Sequence, residues 1–314
     1  MSETISTPLR IGFVILSYNE PDQLRCLTKM LGKMFNNSPI VCHHNFDQCD
    51  PRPELFPSNV QFVRPHIRTR WGHITTPLAA MRAFSQLRNE YAPDWYFLLS
   101  GSDYPVKSAK DILTELAGTR YDAYLDHREI SFGTCPPNQI ARDGGFGRKT
   151  WISLAYDRYC ACRFWWPRIS AERLHSGRLP VRREWVFIRD PDILRLLQRD
   201  RPERIFGGRF WFHANHKAIC QLLDNASPKT LRYYRRRPIP EESLFHTILC
   251  NQSDLRICSD SRRYEDWTAG DAHPKWLTVS DLPKILASGA HFARKFRPDG
   301  VVQRAVNEAL RVSM

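Results

Sequence analysis

The stretch IGFVILSYNEPDQLRCLTKMLGKMF, residues 11–35, indicates a strand followed by a helix. Residues 11–17 are a continuous apolar run rich in β-branched side chains, which is typical of a strand buried on both faces of a parallel sheet. From residue 22 onward, apolar side chains recur at the spacing of one helix face, so a helix is predicted over 22–35. Asp22 precedes that pattern and is its predicted N-cap.

The alternation of strand and helix signals continues through the first hundred residues. Strands are predicted over 39–43, 60–63 and 95–99, and a helix over 77–89. This order predicts an α/β fold with a mostly parallel central sheet. Ligands of such sheets bind beyond the carboxyl ends of the strands. Three polar clusters are predicted to lie there: Ser17-Tyr18-Asn19, His43-His44-Asn45-Phe46-Asp47 and Ser100-Gly101-Ser102-Asp103.

The second half of the chain has fewer clear signals. Helices are predicted to begin at Asp190-Pro191-Asp192 and at Pro240-Glu241-Glu242, because proline and acidic side chains favour the first turn of a helix. A short closing helix is predicted over 303–312, and Gly144-Gly145 and Gly207-Gly208 indicate ordinary turns.

The positive charge of the chain is concentrated in its middle. The 314 residues carry a formal net charge of +13, and residues 142–237 hold 22 Lys and Arg against 9 Asp and Glu, while the remainder has 24 of each sign. Several aromatic side chains share this basic stretch: Trp151, Phe164, Trp165, Trp166, Trp185, Phe210 and Trp211. Such a stretch suits binding to nucleic acid, an anionic membrane surface, or an acidic glycan or nucleotide, and equally a solvated basic face over an aromatic core.

Several classes of protein are excluded by what the sequence lacks. No apolar run reaches the roughly 18 residues that span a bilayer, and residues 1–20 do not resemble a signal peptide, so a soluble, cytosolic chain is expected. The nine cysteines have no paired spacing, which predicts reduced thiols rather than a structural zinc site. Neither GxGxxG nor GxxxxGK[ST] occurs, so a Rossmann dinucleotide site and a P-loop are not supported.

Five segments together resemble one known family. They are WYFLLSGSDYPVKS (95–108), IPEESLFHTIL (239–249), RYEDW (263–267), HPKWLT (273–278) and AHFARKF (290–296). In this order they are similar to the core 2/I-branching β-1,6-N-acetylglucosaminyltransferases (glycosyltransferase family 14), and more closely to their relatives, the protein O-xylosyltransferases. RTRWGHITTPLAAMRAF (68–84) also fits, and the resemblance is weakest between residues 126 and 207.

The resemblance implies a single GT-A-type domain that transfers a sugar from a UDP-sugar with inversion, without a metal or other cofactor. Metal-dependent enzymes of that fold carry a DxD motif after a central strand, whereas this chain has Ser100-Gly101-Ser102-Asp103 with one carboxylate. Its clear DxD, Asp190 and Asp192, is explained by capping of the predicted helix.

The matched motifs also imply the catalytic and diphosphate-binding residues. Glu242, the second carboxylate of IPEES, is expected to take the proton of the acceptor hydroxyl, and the start of a helix would favour its ionised form. Arg294 and Lys295 are expected to stabilise the departing diphosphate through charge-assisted hydrogen bonds. Lys275 is expected to join them, at a position where some relatives carry arginine.

Contacts to the two substrates are expected from further residues. Asp103 is expected to bind the donor sugar. Relatives tend to have His-x-Asp at the nucleoside loop, and this chain departs from that pattern. Donor and nucleoside contacts are assigned to Tyr18, His43, Asn45 and Asp47. Stacking on a sugar ring or bonding to its hydroxyls is assigned to Trp71, Asp266 and Trp267.

The sequence therefore predicts a cytosolic, bacterial-type glycosyltransferase that moves GlcNAc or xylose to a glycan, lipid-linked or protein acceptor. Residues 1–125 would bind the nucleotide sugar, residues 126–237 would face the acceptor or the inner surface of an anionic membrane, and residues 238–314 would carry the base and the diphosphate site. Nucleic acid is not an expected partner of this enzyme. The alternative is a non-enzymatic protein that binds nucleic acid or acidic glycan through residues 142–237.

Overall fold

The structure is a computed structural model that describes residues 9–131, 151–169, 181–268 and 273–311. Its strands are β1 (Ile11–Ser17), β2 (Ile40–His44), β3 (Val60–Phe62), β4 (Trp95–Ser100), β5 (Tyr104–Pro105), β6 (Ala123–Tyr124), β7 (Arg128–Glu129), β8 (Cys162–Ile169), β9 (Val181–Ile188), β10 (Phe206–Gly207), β11 (His213–Asn215), β12 (Ile257–Cys258), β13 (Arg263–Glu265) and β14 (Phe292–Arg294).

Helices fill most of the connections between these strands. They are α1 (Pro21–Met34), α2 (Thr75–Tyr91), α3 (Ala109–Gly118), α4 (Trp151–Tyr159), α5 (Pro191–Leu197), α6 (His216–Asp224), α7 (Pro228–Tyr234), α8 (Leu244–Cys250), α9 (Leu282–Ala287) and α10 (Val301–Ala309). Short 3₁₀ turns occur at Pro53–Leu55, Pro240–Glu242 and Val279–Asp281.

Seven strands form the central sheet, in the order β12-β6-β11-β4-β1-β2-β3. Strand β11 runs antiparallel to its neighbours β4 and β6, and the other neighbouring pairs are parallel. In the central pair, Ile11 of β1 lies opposite Trp95 of β4. The predicted α/β class with a mostly parallel central sheet is confirmed, and the arrangement is consistent with a GT-A-like domain.

Two hydrophobic cores lie on opposite faces of this sheet. Successive side chains of a strand point to opposite faces, so β1 contributes to both cores. Val14 packs in one core with Phe84 of α2, and Phe13 packs in the other with Leu24 and Leu27 of α1. Each of these side chains is at most 1% exposed, and burial of each contributes roughly 2 kcal/mol. The sheet is therefore held between two helical layers, which leaves its strand ends free to build a site.

A three-stranded sheet, β13-β14-β5, brings two distant motifs together. Arg263 of RYEDW lies opposite Phe292 of AHFARKF, and Glu265 lies opposite Arg294. Two smaller antiparallel sheets pair β10 with β7 and β8 with β9.

Some predicted helix boundaries need correction. Helix α1 begins at Pro21, and Glu20 occupies the N-cap position with a φ of 51° and no side-chain cap, so the prediction that Asp22 is the N-cap is wrong. Proline at the first helical position has a preset φ and needs no donor there, which explains the earlier start. The predicted start of α5 is confirmed, because Asp190 accepts the N–H groups of Asp192 and Ile193.

The basic stretch is described only in part. Helix α4 and strands β8 and β9 belong to it, while Gly144 and Gly145 lie outside the described residues. The side chains of five of its aromatic residues also lie outside: Trp151, Phe164, Trp165, Trp166 and Trp185. A membrane or acceptor contact of this stretch therefore stays a prediction. Within the described ranges, no helix combines the length and apolar character that crossing a bilayer requires.

Candidate active site

A cavity of about 1010 Å³ opens beyond the carboxyl ends of strands β1, β2 and β4. Ser17, His43 and Ser100 contribute these strand ends to its wall. The rest of the wall comes from segments far apart in sequence, including α4, β13, β14 and the turn before α8. The cavity thus lies where the strand pattern predicts a ligand site.

Glu242 lies on the cavity wall, in the 3₁₀ turn that precedes α8. This turn is not the helix start predicted from the sequence, because Ile239 has a left-handed φ of 50° and α8 begins only at Leu244. The expectation that a helix terminus favours the ionised carboxylate is corrected as well. Burial has the largest effect and raises the pKa of Glu242 above that of an ordinary glutamate. A carboxylate with a raised pKa is a stronger base.

Neighbouring groups hold Glu242 in place. Nη1 of Arg158 donates to its Oε2 at 3.3 Å, and this positive charge lowers the pKa of Glu242, opposing the effect of burial. Tyr159 donates its hydroxyl to the carbonyl of Ile239 at 2.8 Å, and the N–H of Gly208 donates to the carbonyl of Glu242 at 2.9 Å. The carboxylate is therefore presented to the cavity by a fixed turn with one arginine beside it.

Arg294 lies on the same wall, at the end of β14. Its Nε is 3.3 Å from Oδ1 of Asp103 and its Nη1 is 3.7 Å from Oε1 of Glu265. The guanidinium carbon lies 4.8 Å from the centre of the Trp211 ring, within the range of a cation–π contact. These contacts orient the guanidinium group of Arg294, whose side chain is 15% exposed.

Lys295 also lines the cavity. Its Nζ lies 4.5 Å from the centre of the Trp276 ring. Burial lowers the pKa of Lys295, and the positive charge of Arg294 lowers it further. An anion bound here would stabilise the charged form of this ammonium group, because a nearby opposite charge offsets the effects of burial and of Arg294.

Glu265 links several parts of the wall. Its side chain is 2% exposed and accepts the indole N–H of Trp267 at 2.9 Å. Nε of Arg209 lies 3.4 Å from Oε2 of Glu265 and 3.8 Å from Oδ2 of Asp126. This carboxylate therefore holds arginines from two separate segments, Arg209 and Arg294, at the cavity.

Asp103 lies beneath the cavity wall and not on it. Its carboxylate accepts the N–H of Ser100 at 3.2 Å, the Ser100 hydroxyl at 2.5 Å and Nη1 of Arg263 at 2.6 Å. Nε of Arg294 also lies 3.3 Å from Oδ1 of Asp103. Asp103 is 1% exposed, and these partners occupy the acceptor positions of its carboxylate. The placement argues against the predicted direct contact with a donor sugar, because Asp103 instead anchors an arginine that reaches the cavity.

Lys275 and Asp266 bind each other instead of lining the cavity. Nζ of Lys275 lies 3.0 Å from Oδ2 of Asp266 and 2.9 Å from Oδ1 of Asp281. Hydrogen bonds from Thr268, together with Lys275, hold the pKa of Asp266 well below its usual range. The predicted roles of Lys275 at the diphosphate and of Asp266 at sugar hydroxyls are not supported by this placement, because their charges already compensate each other.

The predicted nucleoside residues are divided between the wall and the surrounding loops. Tyr18, which is 50% exposed, and His43 line the cavity. Nε2 of His43 accepts the N–H of Ile67 at 2.9 Å, which places the ring proton on Nδ1 in the neutral form. Burial lowers the pKa of His43 to about 4, so the ring is neutral at neutral pH.

Asn45 and Asp47 do not line the cavity. The amide of Asn45 donates to the carbonyl of Thr69 at 3.2 Å. The carboxylate of Asp47 lies 3.3 Å from Nε2 of His66 and 3.6 Å from Nε of Arg68. Both residues hold the segment that leads to α2, so their predicted contact with a nucleoside is not supported by their position.

Two predicted stacking residues stand on the wall with accessible rings. Trp71 is 71% exposed and lies edge-on to the ring of His273, with 6.3 Å between ring centres. Trp267 is 39% exposed. Large aromatic faces at the mouth of a cavity suit packing against a sugar ring, and this role stays a prediction.

Sequence reasoning assigned no role at the site to several residues on the wall: Arg158, Arg209, Trp211, Glu241, Glu265 and Trp276. Glu265 and Trp276 lie inside the quoted motifs RYEDW and HPKWLT, so a signal for them was present. Arg158 had no local signal, because its partner Glu242 is 84 positions away along the chain.

Comparison with known families finds a match to the Core-2/I-Branching enzyme model over residues 184–286. This range contains Glu242 and Trp267 and ends before Arg294. The resemblance predicted from the five segments is therefore confirmed.

The chain is also similar to curated glycosyltransferases. Beta-glucuronosyltransferase GlcAT14A of Arabidopsis thaliana is 29% identical over 113 residues, which are 34% of this chain and 25% of that protein. Xylosyltransferase 1 of Canis lupus familiaris is 24% identical over 327 residues, and that of Homo sapiens is 23% identical over 326 residues. Each of these two matches covers 93% of this chain and 29% of the relative. The chain thus spans little more than a quarter of the length of these relatives.

Proposed function

We propose that this chain, with its similarity to core 2/I-branching enzymes, is a glycosyltransferase that moves a sugar from a UDP-sugar to a hydroxyl group. The acceptor class is a glycan, a lipid-linked glycan or a protein. The observation that carries the proposal is the presence of Glu242, Arg294 and Lys295 on the wall of one cavity. A base for the acceptor and positive charge for the leaving group are the two requirements of an inverting transfer.

The proposed reaction assigns one role to each side of the cavity. Glu242 takes the proton of the acceptor hydroxyl. At the same time, the oxygen of that hydroxyl forms a bond to the anomeric carbon of the donor. The bond from that carbon to the β-phosphate oxygen breaks, and UDP leaves with the electron pair. Arg294 and Lys295 stabilise the charge that develops on the diphosphate.

We propose that this transfer does not depend on a metal ion, because the two cations can supply the charge that a metal would supply in other enzymes. Asp103, the single carboxylate of the SGSD segment, is already bound to Arg263 at 2.6 Å. A metal ion that used Asp103 would have to displace that buried arginine, which would leave a buried charge without its partner.

The donor and the metal requirement are tested together by thermal shift and calorimetry. Donors to compare are UDP-GlcNAc, UDP-xylose and UDP-glucuronic acid, the last because relatives are named glucuronosyltransferases. UDP and GDP-sugars serve as controls, each with EDTA or with added manganese. We expect stabilisation by one UDP-sugar that EDTA leaves unchanged. Binding only with manganese would contradict the metal-free mechanism, and no binding at all would contradict the transferase.

The base is tested by Glu242→Gln, with Glu203→Gln, an exposed glutamate outside the cavity wall, as the matched control. Loss of a general base lowers the rate about 10²- to 10⁴-fold, so we expect that loss in donor hydrolysis or transfer while donor affinity stays within a few-fold. Equal rates for Glu242→Gln and Glu203→Gln would rule out Glu242 as the base.

Titration of a polyanion at several salt concentrations, together with the nucleotide-sugar titrations, decides the alternative, a non-enzymatic binding protein. That alternative predicts binding of a polyanion with a steep salt dependence, no effect of Glu242→Gln on this binding, and no stabilisation by any nucleotide sugar.

A further inference from the structure

Glu241, the neighbour of the proposed base, is a second carboxyl group that the proposed reaction does not use. It lines the cavity and is 7% exposed. Its Oε1 accepts the N–H of Gly72 at 3.2 Å. Its Oε2 is buried and has no hydrogen-bond partner among the residues that the structure describes. A buried polar atom without a partner requires an explanation, because it costs free energy in the folded state.

Glu241 joins two segments of the cavity wall. Residues 68–73, here the Trp71 loop, lead into α2, and Gly72 of this loop lies beside the turn that carries Glu242. The N–H of Ile239 donates to the carbonyl of Gly72 at 3.0 Å, and the N–H of Gly72 donates to Glu241. These two hydrogen bonds connect the loop to the turn. The position of Trp71 at the cavity therefore depends in part on the side chain of Glu241.

We propose that Glu241 is a positioning residue whose neutral carboxyl group holds the Trp71 loop against the turn that carries Glu242. This inference rests on the proposed function, in which Glu242 is the base. Ionisation would place a charge in a buried site with few hydrogen bonds, which is far more costly than burying the neutral group. The hydrogen bond from Gly72 favours the ionised form, but burial disfavours it more strongly, so the ionised side chain lowers its free energy by turning toward water and gives up the bond to Gly72. The loop is thus held at low pH and released at high pH.

The charges around Glu241 place this change near neutral pH. Burial raises the pKa of Glu241 to about 7, while hydrogen bonds from its own backbone N–H and from Gly72 lower it. Glu242 on the same turn raises this pKa, and Arg158 of α4 lowers it. Burial is the main cause of the raised pKa of Tyr159 in α4, and the charge of Glu241 raises this pKa further. Other segments next to this turn contribute the ionisable residues Arg68, Arg70 and His73 from the Trp71 loop and His246 from α8.

Hydrogen–deuterium exchange of the peptide that contains Trp71 and Gly72 tests the contact without any substrate. At pH 6, after correction for intrinsic exchange, we expect at least about ten-fold faster exchange in Glu241→Ala than in the wild type, since a lost hydrogen bond favours local opening. Glu241→Gln keeps an acceptor for Gly72 and cannot ionise, so it should match the wild type. At pH 8, the wild type should approach Glu241→Ala, and Glu241→Gln should stay protected. Equal protection of all three proteins at both pH values would overturn the proposal.

The pH profile of donor hydrolysis tests whether this contact positions the site. In the wild type we expect the rate to rise with pH as Glu242 ionises and to fall again near pH 7. In Glu241→Gln the fall should be absent, and in Glu241→Ala the rate should be reduced at every pH. Glu203→Gln should retain the wild-type profile. If Glu241 had a purely structural role, its substitution would lower the melting temperature and leave the shape of the pH profile unchanged. A falling limb that persists in Glu241→Gln would overturn the proposal. If no donor is hydrolysed, the proposed function fails, while the exchange experiment still decides the role of Glu241.

Discussion

At the residue scale, Gly208 shows how closely the chain approaches itself beside the proposed base. A Cβ atom at this position would lie 1.9 Å from the carbonyl oxygen of Asp126 and 2.7 Å from its carbonyl carbon. The N–H of Gly208 donates to the carbonyl of Glu242 at 2.9 Å. The sequence predicts an ordinary turn at Gly207-Gly208, and that interpretation is wrong, because Gly207 belongs to β10 and Gly208 is required for a close backbone contact.

Gly208→Ala should therefore destabilise the fold and disturb Glu242. We expect the free energy of unfolding to fall by roughly 2 to 4 kcal/mol, because the colliding atoms belong to the backbone and cannot turn away. Urea denaturation measures the change. Gly118→Ala is the matched control, since its Cβ would have nothing within 4 Å, and it should stabilise the protein by about 0.5 kcal/mol. Similar stabilities of the two variants would contradict the close contact.

At the element scale, a buried ion pair joins the segment after β4 to strand β13. Nη1 of Arg263 lies 2.6 Å from Oδ2 of Asp103, and the two side chains are 1% and 0% exposed. Nη2 of Arg263 also donates to the carbonyl of Leu98 in β4 at 3.1 Å. Because Arg294 contacts the same carboxylate, this pair connects the central sheet to the strands that present the cations of the cavity.

Asp103→Asn should remove the ion-pair partner of the buried Arg263 and leave only the more distant charge of Glu265 to compensate it. Removing one partner of a buried ion pair costs about 3 to 5 kcal/mol, so we expect that loss in the free energy of unfolding. We also expect weaker binding of a UDP-sugar, because Arg294 loses its anchor. Asp254→Asn, which breaks the exposed pair with Lys217, is the control and should cost less than about 1 kcal/mol. A loss no larger than that of the control would show that the Asp103 pair does not hold these strands together.

At the scale of the whole molecule, several buried histidines couple folding to pH. Burial lowers the pKa of His43 and of His291 to about 4 and that of His246 to about 3, and it lowers the pKa of His213 well below its usual value. The unfolded chain binds protons to these rings near pH 6.5, where the folded protein does not. The stability that these neutral rings maintain is therefore present above about pH 6.5 and is lost as the pH falls toward the pKa of each ring in the folded protein, by at most about 1.4 kcal/mol per pH unit for each ring.

His213→Phe should reduce this pH dependence. The His213 ring lies 4.6 Å from the centre of Phe97 and 4.8 Å from that of Tyr124, and its two nitrogens have no hydrogen-bond partner among the described residues. Phenylalanine fits these stacked contacts, so we expect equal or greater stability at pH 5 and a smaller difference between pH 5 and pH 7 by urea denaturation. His73→Gln changes an exposed histidine and should keep the wild-type difference. An undiminished difference in His213→Phe would contradict the account.

Patterns within single segments of the sequence were enough to predict many local elements and the fold class. The apolar run of β1, the helical spacing of α1 and α2 and the strand at Trp95 depend on neighbours within one element, so their patterns are legible without tertiary information. The same holds for the cap at Asp190. The motifs that carry Glu242 and Arg294 also signalled the candidate site, because each is a short continuous segment.

Which charged groups face the cavity, and which are paired with other residues, depends on how distant segments pack and could not be predicted from the sequence. Asp103 is paired with Arg263, 160 positions away, and Glu242 lies beside Arg158, 84 positions away. Lys275 is bound by two aspartates, whereas Lys295 reaches the wall. The physical reason is that the energy of a charge depends on its distance to other charges and to water, and those distances exist only once separate elements pack together.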